Sequence, residues 1–265
     1  MKVVLFCGGL GTRLREYTGE IPKPMVKIGY RPILWHLMKY YAHFGHTDFV
    51  LCLGYKADVI KEFFLRYEEW ISNDFTLSKG GRELTLENND IEDWNITFVD
   101  TGLHANIGER LVAVRRYVED EDMFLANYSD GLTDLDLNVM IEQFKTSDRV
   151  GSFLAVPPSQ SFHLVDFDAD GDVAGLRPVN ETNLLINAGF FAFRQELFDY
   201  IEPGEELVLN PFDRLIAARK LHSFRYERFW CMDTFKEQQQ LTDLYNSGRA
   251  PWEVWKHDAA GAPQT

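Results

Sequence analysis

The sequence predicts an α/β fold in which helices flank a mostly parallel, Rossmann-like mixed sheet. An apolar run, Val3–Phe6, leads directly into a glycine-rich loop, as a buried strand does when it leaves a sheet. Strand-like and helix-like segments then alternate, and this alternation produces parallel strands with right-handed crossovers. The later part of the chain is richer in strand patterns. We therefore expect one domain over residues 1–256, followed by a disordered tail over residues 257–265.

The first half of the chain supplies most of the predicted parallel sheet. After the glycine loop, apolar residues recur at helical spacing and end at Gly45, so the first crossover helix is expected at 32–45. The same patterns predict strands at 47–53, 95–99 and 123–127 and helices at 57–67 and 108–118. Residues 75–78 and 83–86 alternate in polarity around Lys79-Gly80-Gly81-Arg82, which predicts a β-hairpin that projects from the sheet.

The second half is expected to add antiparallel strands over the active site. Strand patterns occupy residues 150–156, 163–168, 173–176 and 188–193, and helices are expected at 194–200, 211–220 and 234–246. Residues 168–172 begin like a calcium-binding loop, but Val179 stands where that loop needs a glutamate. A tight turn between two strands is therefore the preferred interpretation.

Composition excludes several classes of partner. The net charge of −14 and the isoelectric point near 4.9 argue against nucleic-acid binding, which requires a basic surface. No apolar run reaches membrane-spanning length and no secretory leader precedes the first strand, so we expect a cytoplasmic protein without a membrane partner. Cys7, Cys52 and Cys231 lie in apolar, strand-like settings without paired spacing, which favours buried, reduced thiols.

The functional centre is predicted at the loop that follows the first strand. The loop reads Phe6-Cys7-Gly8-Gly9-Leu10-Gly11-Thr12-Arg13-Leu14, and Ile21-Pro22-Lys23-Pro24-Met25 follows it. Glycines let backbone N–H groups approach a phosphate closely, and Arg13 and Lys23 add positive charge. A Walker loop is excluded because it needs Gly-Lys-Ser/Thr at this point. A dinucleotide fingerprint is excluded because Leu14 replaces its third glycine.

These two segments together resemble the signature of the sugar-1-phosphate nucleotidyltransferases, which join a nucleoside triphosphate to a sugar phosphate and release pyrophosphate. Further segments, among them Gly54-Tyr55-Lys56, Val99-Asp100-Thr101-Gly102 and Met232-Asp233-Thr234, are most similar to the glucose-1-phosphate cytidylyltransferase branch. The resemblance implies a GT-A-like nucleotidyltransferase fold with Mg²⁺ as cofactor. It also implies CTP and a sugar phosphate such as glucose 1-phosphate as substrates, and a homo-oligomeric assembly.

The expected chemistry needs positioning and charge neutralisation more than a general base, because a sugar phosphate is already anionic at neutral pH. By resemblance, Arg13 holds the triphosphate, Lys23 lies against the α-phosphate, and Asp130 and Asp233 bind Mg²⁺. Arg13, Lys23 and Asp130 are thus the expected catalytic residues. From the residues alone, Lys23 is equally compatible with a surface loop, and each aspartate with a turn or a helix cap.

Two groups of binding residues follow from the resemblance. The nucleotide is expected to contact Phe6, Cys7, Gly8, Gly9, Leu10, Gly11, Thr12, Arg13, Lys23, Ala105, Glu109, Arg110 and Ser129. The sugar phosphate is expected to contact Tyr128, Arg177, Asn187 and Gly189.

The chain departs from the family at two of these positions. Glu109 replaces a family glycine near the base, which leaves the identity of the base open. Pro178 aligns with a family lysine that contacts the sugar phosphate. Either Arg177 replaces that lysine from the adjacent position, or the acceptor differs, or Arg177 is an exposed strand-end residue. The alternatives are therefore another base or acceptor, and a non-catalytic nucleotide-sugar-binding protein of the same fold.

Overall fold

A computed structural model of the protein describes residues 1–9, 21–159 and 162–259, the last three of these as backbone only. In chain order its strands are β1 (Val3–Phe6), β2 (Lys27–Ile28), β3 (Arg31–Pro32), β4 (Asp48–Leu53), β5 (Phe75–Ser78), β6 (Glu83–Leu86), β7 (Asn95–Asp100), β8 (Met123–Asn127), β9 (Gly131–Leu132), β10 (Gly151–Val156), β11 (His163–Phe167), β12 (Val173–Pro178), β13 (Ile186–Arg194), β14 (Leu221–Arg225) and β15 (Trp230–Cys231). Seven of the described strands form the main sheet, in the order β14-β10-β13-β8-β1-β4-β7.

The main sheet is mixed but mostly parallel, as the sequence predicted. β1 pairs in parallel with β4 and β8, β4 with β7, and β10 with β14. β13 is antiparallel to both of its neighbours, β8 and β10. Two segments that were expected as antiparallel additions, 150–156 and 188–193, lie within the main sheet as β10 and β13. The other two form a separate hairpin of β11 and β12.

The helices connect and cover these strands. They are α1 (Ile33–His43), α2 (Ala57–Leu65), α3 (Ile107–Val114), α4 (Leu137–Lys145), α5 (Asn210–Ala217), α6 (Phe235–Asn246) and α7 (Val254–Ala259). Shorter 3₁₀ helices cover Lys23–Met25, Glu69–Ile71, Arg115–Tyr117, Val179–Glu181 and Gln195–Tyr200. The helix expected at 194–200 is thus a 3₁₀ helix. α7 continues through Ala259, whereas the sequence predicted a disordered tail from residue 257; residues 260–265 lie outside the described ranges.

β1 is buried on both faces, which explains its continuous apolar sequence. Val3 and Leu5 join the core on the face covered by α1, α2, α4 and α6. Val4 and Phe6 join the core on the opposite face, beneath α3 and α5. Burial on both faces is typical of parallel strands between two helix layers. The two cores therefore fix the end of β1, and with it the start of the glycine loop.

Smaller hairpins surround the main sheet. β5 and β6 pair at the residues that the sequence predicted, outside the main sheet. The turn between β11 and β12 is tight: Asp168 Oδ1 accepts hydrogen bonds from the N–H groups of Asp170 and Asp172, at 3.0 and 2.9 Å. This confirms a turn rather than a calcium loop. Among the described helices, none combines the length and apolar character needed to span a bilayer. The three cysteines are free thiols; Cys7 and Cys52 are buried and Cys231 is half-buried.

Candidate active site

A cleft of about 380 Å³ opens beyond the carboxyl ends of β1 and β8. Ligands of open α/β sheets bind at this edge because the loops that follow parallel strands meet there. The lining residues include Phe6, Cys7, Gly9, Lys23, Pro24, Ala105, Asn106, Ile107, Arg110, Tyr128, Asp130, Glu206 and Asp233. Segments that are far apart in the sequence therefore meet where the sequence predicted the functional centre.

The cleft contains a lysine held between two aspartates. Lys23 Nζ donates to Asp130 Oδ2 at 2.8 Å and to Asp233 Oδ1 at 2.5 Å. The Lys23 side chain is mostly buried, whereas the side chains of Asp130 and Asp233 are each about one third exposed, at 31% and 30%. The three expected charged residues thus share one site, and a surface-loop role for Lys23 does not describe its surroundings.

Local structure fixes all three backbones. Lys23 begins a 3₁₀ turn between Pro22 and the buried Pro24, and these prolines restrict the backbone on both sides. The Met232 N–H donates to the Asp130 carbonyl at 2.9 Å, next to the β9–β15 pairing. This bond joins the backbone of Asp130 to the residue that precedes Asp233. The two carboxylates are therefore held at a fixed separation.

The helix-cap alternative for Asp233 is not what the structure shows. Thr234 is the N-cap of α6: its side chain accepts from the Glu237 N–H, and the Glu237 carboxylate accepts from the Thr234 N–H. Glu237 also accepts from the Asp233 N–H. Because Thr234 caps the helix, the Asp233 carboxylate can reach Lys23.

The charges of this cluster influence one another strongly. Burial of the Lys23 ammonium opposes its charged form, but the carboxylates of Asp130 and Asp233 outweigh burial and raise the pKa of Lys23 above its usual value. The Asp130 side chain lines the cleft and is partly buried. This burial raises the pKa of Asp130, the Lys23 ammonium lowers it, and the Asp233 carboxylate raises it further. Among the described residues, both carboxylates thus contact one ammonium at the wall of the cleft, an arrangement that a divalent cation could share.

The two carboxylates fit a hard divalent cation. Both contact the same Nζ atom, so they are close enough to share one ion. Mg²⁺ in phosphoryl-transfer sites takes one or two carboxylates and completes its coordination with phosphate oxygens and water. Within the described ranges no group of three or more His, Cys, Asp or Glu side chains is placed to hold a metal.

Arg110 organises the loops around the cleft. It is 3% exposed and donates to the carbonyl oxygens of Gly8 and Leu53, both at 3.1 Å, and to Thr101 Oγ1 at 2.7 Å. A Cβ atom at Gly8 would lie 2.0 Å from the Nη1 atom of Arg110, so only glycine fits at this position. The guanidinium thus ties together the loops that follow β1, β4 and β7. Its predicted contact with the nucleotide stays a prediction.

The residues at the start of α3 line the cleft. Asn106 caps α3 by accepting from the Glu109 N–H at 2.9 Å, and the exposed Glu109 carboxylate accepts from the Asn106 N–H at 2.9 Å. Ala105, Asn106 and Ile107 line the cleft, whereas Glu109 is outside the set of lining residues. Ala105 therefore lies at the cleft, where a nucleotide contact was predicted. The Glu109 carboxylate is engaged in a capping box instead of facing the cleft.

Tyr128 is held by the strand that was expected to contact the sugar. Its N–H donates to the Gly189 carbonyl at 3.2 Å, and the Gly189 N–H in turn donates to Asn187 Oδ1 at 2.9 Å. Gly189 has a φ of +76°, and a Cβ atom there would lie 2.4 Å from the Tyr128 ring. Asn187 and Gly189 thus position Tyr128, which lines the cleft itself. Ser129 is buried with a φ of +66° and contacts the Cys7 thiol at 3.5 Å.

Arg177 lies elsewhere. It is on β12, and its side chain is 60% exposed. Its Nε and Nη2 atoms donate to the two carboxylate oxygens of Asp166, both at 2.8 Å. Arg177 is not among the residues that line the cleft. This placement favours an exposed strand-end arginine, although a contact with the sugar phosphate stays a prediction.

The remaining expectations and omissions are few. Leu10, Gly11, Thr12 and Arg13 lie outside the described residues, so their predicted contacts with the triphosphate stay predictions. Sequence reasoning missed Pro24, Asn106, Ile107 and Glu206 as lining residues. Asn106 was detectable, because Asn followed three residues later by Glu is a capping signal. Glu206 lies in a segment without periodicity, and no local pattern marks it.

Comparison with known proteins agrees with this geometry. A model of the nucleotidyl transferase family matches residues 2–230. A glucose-1-phosphate cytidylyltransferase of Salmonella typhi is 38% identical over 259 residues, which cover 97% of this chain and 100% of that protein. A protein of the same name from Salmonella typhimurium has the same identity and coverage. The structure of a UDP-glucose pyrophosphorylase complexed with UDP-glucose covers 94% of this chain and 99% of its own, with a TM-score of 0.68 at 13% identity, which shows a shared fold.

Proposed function

Because the chain belongs to the nucleotidyl transferase family, we propose that it joins a nucleoside triphosphate to a sugar 1-phosphate and releases pyrophosphate. CTP and glucose 1-phosphate are the proposed pair, since two relatives that match 97% of the chain at 38% identity are named glucose-1-phosphate cytidylyltransferases. The single observation that supports catalysis is the Lys23–Asp130–Asp233 cluster inside the cleft. A protein that only binds nucleotide sugars does not need a lysine clamped between two carboxylates.

In the proposed reaction an oxygen of the sugar phosphate attacks the α-phosphorus of the triphosphate. A new phosphorus–oxygen bond forms, the bond between the α-phosphorus and the α,β-bridging oxygen breaks, and pyrophosphate leaves with that electron pair. No proton needs to move, because the attacking oxygen is already ionised. The backbone at Gly8 and Gly9 would approach the triphosphate, and Lys23 would neutralise charge that develops on the α-phosphate.

Mg²⁺ is the proposed metal, held by Asp130 and Asp233. When bound, it would neutralise phosphate charge and orient the triphosphate. Lys23 and a bound cation would then face the same two carboxylates, so the carboxylates would orient the lysine as well as the metal. Ala105, Asn106 and Ile107 would lie against the nucleotide, and Tyr128 against the sugar phosphate. A homo-oligomeric state and a cytoplasmic location stay predictions from the sequence.

The direct test is pyrophosphate release from the purified protein. CTP, UTP, GTP, ATP and dTTP would each be combined with glucose 1-phosphate or mannose 1-phosphate, with and without Mg²⁺. We expect release only when triphosphate, sugar phosphate and metal are all present, with CTP and glucose 1-phosphate as the best pair. If no pair gives turnover while nucleotide diphosphate sugars still bind, the non-catalytic hypothesis replaces this one.

A further inference from the structure

A third carboxylate, Glu206, lines the cleft without joining the lysine cluster. It lies between the 3₁₀ helix Gln195–Tyr200 and α5, on a segment that has no regular structure of its own. Asp130 and Asp233 both hold Lys23, whereas among the described residues no Lys or Arg forms an ion pair with Glu206. The function proposed above does not use this half-buried negative charge.

The Glu206 carboxylate is oriented by one backbone donor on each oxygen. The Leu207 N–H donates to Oε1 at 3.0 Å, and the Ile107 N–H donates to Oε2 at 3.3 Å. A carboxylate oxygen accepts about two hydrogen bonds, so each oxygen retains capacity for one more. The carboxylate therefore behaves as a fixed pair of acceptors at the cleft wall.

The segment that carries Glu206 is packed firmly against the start of α3. Asn106 Nδ2 donates to the Gly204 carbonyl at 2.9 Å. A Cβ atom on Gly108 would lie 2.2 Å from the Glu205 carbonyl oxygen, so the two backbones are in close contact. Because three consecutive residues of one segment contact the other, the position of Glu206 is set before any ligand binds.

The charge of Glu206 restricts what it can bind. A carboxylate repels phosphate groups, which would lie towards Gly9 and Lys23 in the same cleft. Burial raises the pKa of Tyr128 and the nearby Glu206 carboxylate adds to that rise, so Glu206 also faces the tyrosine. Between Ile107 and Tyr128, a neutral group with hydrogen-bond donors is the suitable ligand, and the hydroxyls of a sugar ring supply them in pairs.

We propose that Glu206 accepts hydrogen bonds from hydroxyl groups of a substrate sugar and selects a hydroxylated ring at this wall of the cleft. The inference rests on the proposed function, because it assumes that the phosphates lie at Lys23. Two rings carry suitable hydroxyls: the ribose of the nucleotide and the sugar of the acceptor. The chemistry is the same for both, and the choice of substrate analogue distinguishes them.

The test combines Glu206 variants with deoxy substrates. Glu206→Ala and Glu206→Gln would be compared with wild type, and Glu202→Gln, which removes an exposed charge from the same loop, is the control. One arm uses CTP with 2′-deoxy and 3′-deoxy CTP, and the other uses glucose 1-phosphate with its monodeoxy analogues. In wild type, loss of the recognised hydroxyl should lower kcat/KM by about tenfold to a hundredfold, as expected for a hydrogen bond to a charged group.

Glu206→Ala should lower kcat/KM for the hydroxylated substrate by a similar factor and abolish its preference over the deoxy analogue. Glu206→Gln should keep part of the preference, since one amide oxygen still accepts. Equal losses for hydroxylated and deoxy substrates in both arms would show that Glu206 only supports α3, and this would overturn the proposal. If wild type gives no turnover, the proposed function fails first. Calorimetry would then measure the binding of CTP, CDP-glucose and their deoxy analogues to wild type and to the Glu206 variants. A preference for the hydroxylated ligand that is lost in Glu206→Ala supports the proposal, and equal losses of affinity for both ligands overturn it.

Discussion

Two clusters of aspartate with basic side chains differ in how deeply their carboxylates are buried and in whether they line the cleft. In the cleft, one lysine serves two carboxylates, Asp130 and Asp233. On another part of the molecule, one carboxylate, Asp90, receives Lys39 at 3.1 Å and lies 3.9 Å from Arg31. The hydroxyls of Tyr67 and Ser72 and the amide of Asn73 also donate to Asp90 at 2.6–2.9 Å. In the first cluster both carboxylates line the cleft and contact the same ammonium, whereas in the second a single buried carboxylate accepts from several donors.

This difference separates a site that can bind ligands from one that holds the fold. Asp90 is 6% exposed, and its network joins the segment around the 3₁₀ helix Glu69–Ile71 to α1. Burial opposes the charge of Asp90, but hydrogen bonds from Ser72 and the charge of Lys39 outweigh it and lower its pKa. The pKa of Asp130 is shifted in the opposite direction. A buried carboxylate that accepts from several donors stabilises the protein, whereas a pair of carboxylates at the wall of a cleft is placed to bind a cation.

The largest expected effect is on turnover in Asp130→Asn and Asp233→Asn. Each variant should lower kcat by roughly a hundredfold or more, because a metal ligand supplies several kcal/mol of transition-state stabilisation. Folding should be retained, since Lys23 keeps one carboxylate. Asp136→Asn is the matched control: Asp136 caps α4 by accepting from the Asn138 N–H, and Asn is an equally good cap. Near-normal turnover in either cleft variant would remove that aspartate from the metal site.

Lys23→Met sharpens the comparison, because it removes the ammonium that contacts both cleft carboxylates. We expect turnover to fall by about a hundredfold or more, while Mg²⁺ or Mn²⁺ binds more tightly in the absence of nucleotide, because the competing ammonium is gone. Mn²⁺ binding by electron paramagnetic resonance measures this directly. Lys39→Met, the equivalent change beside Asp90, should leave metal binding as in wild type. Unchanged metal affinity in Lys23→Met would mean that the two carboxylates do not share a cation.

Asp90→Asn should affect stability instead of turnover. Replacing the buried carboxylate weakens several charge-assisted hydrogen bonds, and we expect a loss of about 1–3 kcal/mol in the free energy of unfolding. Urea denaturation at neutral pH measures the loss, with the exposed Asp93→Asn as control. Turnover per folded molecule should stay at the wild-type value. Loss of turnover without loss of stability would show that Asp90 acts in the reaction and does not only stabilise the fold.

The two clusters should also respond to pH with opposite signs. The lowered pKa of Asp90 contributes stability that is present above its usual value of 3.8 and is lost as the pH falls through the folded-state pKa. The raised pKa of Asp130 contributes stability that is present at low pH and is lost as the pH rises through the folded-state pKa. The unfolding free energy of each variant would be subtracted from that of wild type at each pH from about 3 to about 6. The difference for Asp90→Asn should rise with pH, and the difference for Asp130→Asn should fall. Slopes of the same sign would contradict the comparison.

Arg177→Ala should have the smallest effect. The Arg177–Asp166 pair is exposed, so its loss should cost at most about 1 kcal/mol of stability. We also expect the KM for the sugar phosphate to stay within about twofold of wild type, because Arg177 contacts Asp166 and does not line the cleft. Asp166→Asn should have the same small effect on stability and KM. A KM increase of about tenfold or more in Arg177→Ala alone would show that the guanidinium leaves Asp166 to bind the substrate.

The position of Asp130 was predictable, because it follows a strand of the parallel sheet and ligands bind beyond the carboxyl ends of such strands. The resemblance to a known family added Lys23 and Asp233, which lie on segments outside the main sheet. The partners of the two arginines were not predictable. The sequence shows the charge of Arg110, but not that its guanidinium donates to two backbone carbonyls and a threonine hydroxyl on three segments that are far apart in the sequence. Arg177 meets Asp166 because the β11–β12 register places Leu164 opposite Arg177, with Asp166 diagonal to it on the same face. Register and loop packing are set by tertiary structure, which also explains why Glu206 escaped sequence reasoning.

The most direct test compares pyrophosphate release by wild type, Asp130→Asn and Asp90→Asn with CTP, glucose 1-phosphate and Mg²⁺, normalised to folded protein. We expect Asp130→Asn to lose about a hundredfold or more in kcat with little change in stability, and Asp90→Asn to lose stability while keeping its kcat. If Asp130→Asn turns over like wild type, or if both variants lose turnover and stability together, the two clusters do not differ in function and the assignment of the cleft as the active site is contradicted.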